Sequence, residues 1–113
     1  MLRTIAITLA ASLMLAGAAL ADPIEGDWRT DSGETARIAA SGGGFAITLR
    51  TGKHAGKRIG QMNAAGGGKY KGKITDPSDD KTYSGNATLS GNALAMQGCV
   101  MAVFCRTQNW KRQ

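Results

Sequence analysis

The sequence predicts an all-β protein, a small antiparallel up-and-down barrel of about eight strands. Three observations lead there. Sixteen of the 113 residues are glycine, and they fall in punctuating groups. Between the groups lie short runs in which apolar and polar positions alternate, the period of a strand with one face buried. After the first 21 residues no window carries a helical period. The gaps between runs are at most seven residues, and a parallel crossover needs about a dozen, so neighbouring strands must be antiparallel.

The first 21 residues stand apart from this pattern. Arg3 begins Met1–Ala21, Ile5–Leu15 is an apolar run broken by Thr8 and Ser12, and Ala19-Leu20-Ala21 closes it with small residues. That is the anatomy of a cleaved secretory signal peptide. Leu15-Ala16-Gly17 resembles a lipidation box, but Ala18 stands where the acceptor cysteine belongs, so a soluble periplasmic or secreted protein is expected rather than a lipoprotein. Removing 21 of the 113 residues leaves 92, room for one domain over 22–113 with a thin core. No later stretch approaches the ~20 apolar residues of a membrane-spanning helix.

The expected strands follow in order. Gly26–Thr30 opens the domain and Ala36–Ala40 succeeds it. Phe45–Thr51 places Phe45, Ile47 and Leu49 on one face, and Lys57–Asn63 comes next. Lys69–Thr75 sets Tyr70 and Ile74 against Lys69, Lys71 and Lys73 on the other side. Thr82–Ser90 alternates again, Ser90-Gly91-Asn92 is a tight-turn sequence, and Ala93–Cys99 and Phe104–Lys111 complete the set. The triplets Gly42–Gly44 and Gly66–Gly68 read as looser loops or a flexible apex. Closure into a barrel is favoured over a sandwich because it removes exposed sheet edges.

Two resemblances refine this picture. Gly26-Asp27-Trp28 is similar to the G-x-W opening of lipocalin-like barrels. In those barrels the tryptophan plugs the floor under a basic residue of the last strand. The resemblance implies Arg106 or Lys111 for that barrel-closing role, alongside Gly26 and Trp28. Lys73–Tyr83, with its Asp76-Pro77-Ser78-Asp79 core, and Gln97-Gly98-Cys99 through Cys105-Arg106-Thr107-Gln108-Asn109-Trp110 resemble segments of domain of unknown function family 2147. That family implies export and a small β-structure, and it assigns no reaction. Asp80 stands where the family has glycine, which implies a wider turn.

Cys99 and Cys105 are the two cysteines, both in the exported part. An even count in a small exported domain reads as a disulfide. Closing so short a loop stabilises by about 2.4 kcal/mol in the chain-entropy account. Val100, Met101, Val103 and Phe104 lie inside it, expected as a lid across the barrel mouth, with a ligand or partner surface as the alternative. Asp76, Asp79 and Asp80 read as turn scaffolding, with a weak cation site as the sharper alternative. His54 is the sole histidine and reads as a loop residue. One histidine cannot by itself hold zinc, no G-x-S-x-G surrounds a serine, and no cofactor motif is present.

Without Arg3, thirteen of the fourteen basic residues remain against eight acids. The cationic excess includes Lys69, Lys71 and Lys73, read first as a solvated face. Nucleic acid is an unexpected partner for an exported chain with few aromatics beside its lysines. The sequence therefore predicts a non-catalytic binding module for a small apolar or amphiphilic ligand. The alternatives are an inhibitor of a lytic enzyme and a structural protein seated on envelope polymer.

Overall fold

The computed structural model describes residues 22–101 and 103–113; the expected signal peptide and its cleavage lie outside them. Eight strands run in chain order around a closed barrel: β1 (Gly26–Arg29), β2 (Thr35–Ser41), β3 (Gly44–Leu49), β4 (Arg58–Gly66), β5 (Lys69–Thr75), β6 (Thr82–Ser90), β7 (Ala93–Val100) and β8 (Phe104–Arg112). Every neighbouring pair is antiparallel, and β8 returns to β1. β5 and β6 have the bounds the alternation predicts. β4 runs further than expected, because Ala64 and Gly66 still pair with Tyr70 and Lys69.

The two ends of the barrel differ. At one end, β2–β3, β4–β5 and β6–β7 are joined by two residues each, Gly42-Gly43, Gly67-Gly68 and Gly91-Asn92. Gly42 and Gly43 have φ of 55° and 83°, the left-handed pair that a two-residue hairpin twisting with its strands requires. The glycine triplets are thus tight hairpins, not the looser loops or apex expected. Lacking a β-carbon, these residues close the turn outright rather than loosen it. At the other end lie the longer connections 30–34, 50–57, 76–81 and 101–103.

Alternation decides what enters the interior. Trp28, Ala36, Ile38, Ile47, Leu49, Met62, Tyr70, Ala87, Leu94, Met96 and Trp110 are buried, one or two from each strand. Where the register shifts between Ile47 and Thr48, Ile59 is the extra residue of β4, and it too is buried. Phe45 meets Tyr70 edge-on, with ring centroids 5.7 Å apart.

The N-terminal segment seals the hairpin end. Ile24 is fully buried, and its carbonyl accepts the Trp28 indole N–H at 2.9 Å. Asp22 caps this plug: its carboxylate accepts the Ile24 N–H at 3.0 Å and the Tyr70 hydroxyl at 2.7 Å. The cation over Trp28 is Arg112, 4.3 Å from the ring centroid, which corrects the expectation of Arg106 or Lys111. Parity explains the difference. Arg112 pairs with Trp28 and shares its inward face, whereas Lys111 pairs with Arg29 and is exposed. Arg106 lies on the inward face too, but at the far end of β8. The Arg112 guanidinium also donates to the carbonyls of Glu25 and Pro23. Gly26, at φ 130°, leaves it room: a β-carbon there would stand 3.4 Å from the guanidinium.

Arg112→Ala is therefore expected to lower stability by about 2 kcal/mol in urea denaturation, from a lost cation–π contact and charged hydrogen bonds. Lys111→Ala is expected to stay within about 0.5 kcal/mol of the parent; equal losses would contradict the assignment. Burial, then the hydrogen bond to Asp22, pushes the Tyr70 hydroxyl up to about 12 from its ordinary 10.0. Because its folded value is the higher one, the stabilisation is complete below pH 10 and is lost as pH rises toward 12. Tyr70→Phe is expected to flatten that alkaline fall, read by thermal unfolding across the range.

Candidate functional site

The long-loop end opens into a cup of about 850 Å³. Its wall is built from inward positions of the upper strands: Leu49, Ile59, Ile74, Met96 and, at the bottom, Trp110. Trp110 is 3% exposed, and its indole N–H donates to the Gln108 side-chain oxygen at 2.9 Å. Glu34, His54, Asp76 and Arg106 supply charged or polar groups around the mouth.

One row of inward positions marks where the cup begins. Across the inner wall, Met62 pairs with Gly72, Gly72 with Gly85, Gly85 with Gly98, and Gly98 with Arg106. Met62 and Ile74 fill the room over Gly85, where a β-carbon would lie 3.3 Å from the Met62 sulfur and 2.8 Å from Ile74 Cγ1. At Gly98 the nearest atom to such a carbon is Tyr83 Cβ at 3.7 Å, an ordinary contact, and this glycine lines the cup. Three consecutive strands thus contribute no side chain at this level, but Gly72 lies against the β4 backbone, and of the three glycines only Gly98 borders the cup.

Asp76 is held below the ordinary carboxylate range, first by the Ser78 hydroxyl, then by the Ser78 N–H, with the charges of His54 and Arg106 adding to both. The three aspartates of this loop do not converge. Asp76 accepts from Ser78, Asp79 accepts the Lys81 N–H at 3.0 Å, and Asp80 pairs with Lys57. Among the described residues no group of three or more acidic, histidine or cysteine side chains is arranged to hold a metal. Asp80, where a wider turn was expected, closes a turn on Asp76. It adopts φ 59° itself, and its N–H donates to the Asp76 carbonyl at 2.8 Å; aspartate tolerates this left-handed conformation better than most residues.

Cys99 and Cys105 pair across β7 and β8, with their sulfurs 2.11 Å apart. The bridge pins the base of a three-residue tip. Val100, Met101, Val103 and Phe104 are 44%, 82%, 73% and 72% exposed, so they stand around the mouth and do not form the expected lid. The hairpin is too short to fold back across the opening: Met101 takes φ 55° and the Val103 N–H bonds the Val100 carbonyl. Val100, Val103 and Phe104 still border the cup. Lys69, Lys71 and Lys73 lie elsewhere, exposed on the outer face of β5.

Sequence reasoning singled out Arg106 and the tip but missed Glu34, His54, Ile59, Gln108 and Trp110 as neighbours at one opening. They come from separate loops and strands. The available signal was that every second connection is long, which places those loops at the same end.

A family profile described as uncharacterized protein conserved in bacteria (DUF2147) matches residues 26–112. The chain belongs to that family. No curated protein and no solved structure matches it significantly. The matched span covers every strand, so the cup, the disulfide and the Trp28 floor all lie within the family's domain.

Replacing both cysteines by alanine is expected to lower stability by about 2 kcal/mol while the far-ultraviolet circular dichroism of the barrel persists. Complete unfolding of the double variant would mean that the bridge, not the core, holds the domain together.

Proposed function

We propose that this protein is an exported, non-catalytic binding module that holds one small apolar or amphiphilic molecule in the cup. The observation that carries the reading is the cup at the long-loop end, bordered by Gly98, floored by Trp110 and sealed from the other end by Ile24 and Trp28. Its volume falls in the range of ligand pockets, roughly 300–1,000 Å³, which are mostly apolar with a few placed polar groups. An eight-stranded barrel has an interior of the right width for one small ligand. The wall offers aliphatic and thioether contacts to an apolar body, and Arg106, His54 and Asp76 offer partners to a polar end. The disulfide suits an oxidising compartment, in keeping with export and the Met1–Ala21 leader.

A second reading, a protein partner seated on the mouth, is favoured by the exposed tip at Met101, Val103 and Phe104. Small soluble domains seldom leave such a group uncovered without a partner.

Native mass spectrometry of protein purified from its own periplasm separates the two. A reproducible adduct of a few hundred daltons supports the carrier reading. A clean monomer with no adduct, together with no change in Trp110 fluorescence on titrating N-phenyl-1-naphthylamine, would overturn it. Gly98→Trp is expected to fill the cup and abolish binding of that dye. Stability should change little, because a β-carbon there meets no atom closer than 3.7 Å and the ring enters the cup.

A further inference from the structure

The outer wall of the barrel shows a separation of charge that the cup does not use. Of the strand positions whose side chains face outward, seven carry cations: Arg29, Arg37, Arg58, Lys69, Lys71, Lys73 and Lys111. Only Asp27 is acidic there, and it is paired with Arg37 at 2.8 Å. The remaining acids lie in the N-terminal segment (Asp22, Glu25) and in the mouth loops (Asp31, Glu34, Asp76, Asp79, Asp80). An even scatter would have placed acids among the wall cations.

The densest part of this wall is β5. Lys69, Lys71 and Lys73 project from alternate residues, roughly 6.6 Å apart along the strand, and all three are exposed. Among the described residues none makes an ion pair, although like charges this close disfavour one another. Their cross-strand neighbours are Gln61 and Asn63 on β4 and Ser84, Asn86 and Thr88 on β6. The face is therefore a ladder of free ammonium groups flanked by amides and hydroxyls.

We propose that this face binds a linear anionic polysaccharide, with the lysines on its acidic groups and the amide and hydroxyl side chains on sugar hydroxyls. Charge complementarity along one line favours an extended polyanion over a compact ligand. No aromatic side chain stands among these outward positions to stack on bases, which disfavours nucleic acid. The exposed large apolar residues sit at the mouth, away from β5, so this wall has nothing to insert into a bilayer. The surface is separate from the cup, and the two readings stand or fall independently.

The test is binding of sodium alginate fragments to protein purified from cells expressing the full chain, by affinity electrophoresis over a range of salt. Neutral dextran serves as the blank. Alginate binding that weakens with salt is expected, with no binding to dextran. Lys69→Gln/Lys71→Gln/Lys73→Gln is expected to weaken it about tenfold, the sum of three exposed contacts. Arg29→Gln/Lys53→Gln/Lys111→Gln removes the same charge elsewhere and is expected to cost less than about threefold. Lys71→Glu, a single change at an exposed position, should weaken binding should the triple variant misfold. Equal losses in the two triple variants would reduce the effect to net charge and overturn the proposal. Binding to phosphatidylglycerol vesicles but not to alginate would overturn it in favour of a membrane surface. Unchanged dye binding in the cup of the lysine variant keeps this outcome distinct from failure of the carrier reading.

Discussion

The barrel closes through a narrow seam. β1 has four residues and meets β8 over only two residue pairs, Trp28 with Arg112 and Arg29 with Lys111. Every other neighbouring pair of strands shares a longer ladder. What holds the seam is therefore mostly side chain. Arg112 lies on Trp28 and reaches the carbonyls of Pro23 and Glu25. Asp31 accepts the Asn109 N–H at 3.2 Å and Gln113 bonds both Asp27 and Thr35. One arginine thus ties the last strand, the first strand and the floor plug together. The free edges it removes are the ones an open sheet of this size would expose.

Much of this was legible in the residues. Alternation fixes which side chains point inward, so Phe45–Thr51, Lys69–Thr75 and Thr82–Ser90 announce their strands and their buried faces. The short gaps exclude parallel pairing, and chain-order antiparallel pairing then leaves few alternatives to an up-and-down barrel. Local rules did less well where the outcome depends on a distant partner. Arg106, Lys111 and Arg112 are equally basic, and only the register between β1 and β8 decides which one covers Trp28. Glycine triplets look permissive in isolation, yet strand twist selects the tight left-handed hairpin. The tip at Val100–Phe104 is apolar enough to suggest burial, but three residues between bridged strands lack the reach to fold over the mouth.

The cup was the least legible part. The register lays Gly72, Gly85 and Gly98 in a row on three strands, but Gly72 lies against the β4 backbone, Met62 and Ile74 fill the room over Gly85, and of the three only Gly98 lines the cup. A glycine in a strand reads locally as a weakness of packing. Its consequence depends on what the neighbouring strands place over it, and of these three only Gly98 borders the cup. The polar groups at the rim, His54, Asp76 and Arg106, likewise come together only because two loops and the start of β8 lie at the same end.

Length is distributed as unevenly as charge. Three connections are reduced to two residues and lie beside the plug, while four longer ones surround the cup. The hairpin end has no slack: an added residue there would shift the register of two strands and turn their buried faces outward. The mouth loops carry no such penalty, since each begins and ends beyond the last paired residues. Insertions and substitutions in 30–34, 50–57 and 76–81 can therefore reshape the opening while the floor stays as it is. The shape of the mouth is in this way free to change on a base that is not.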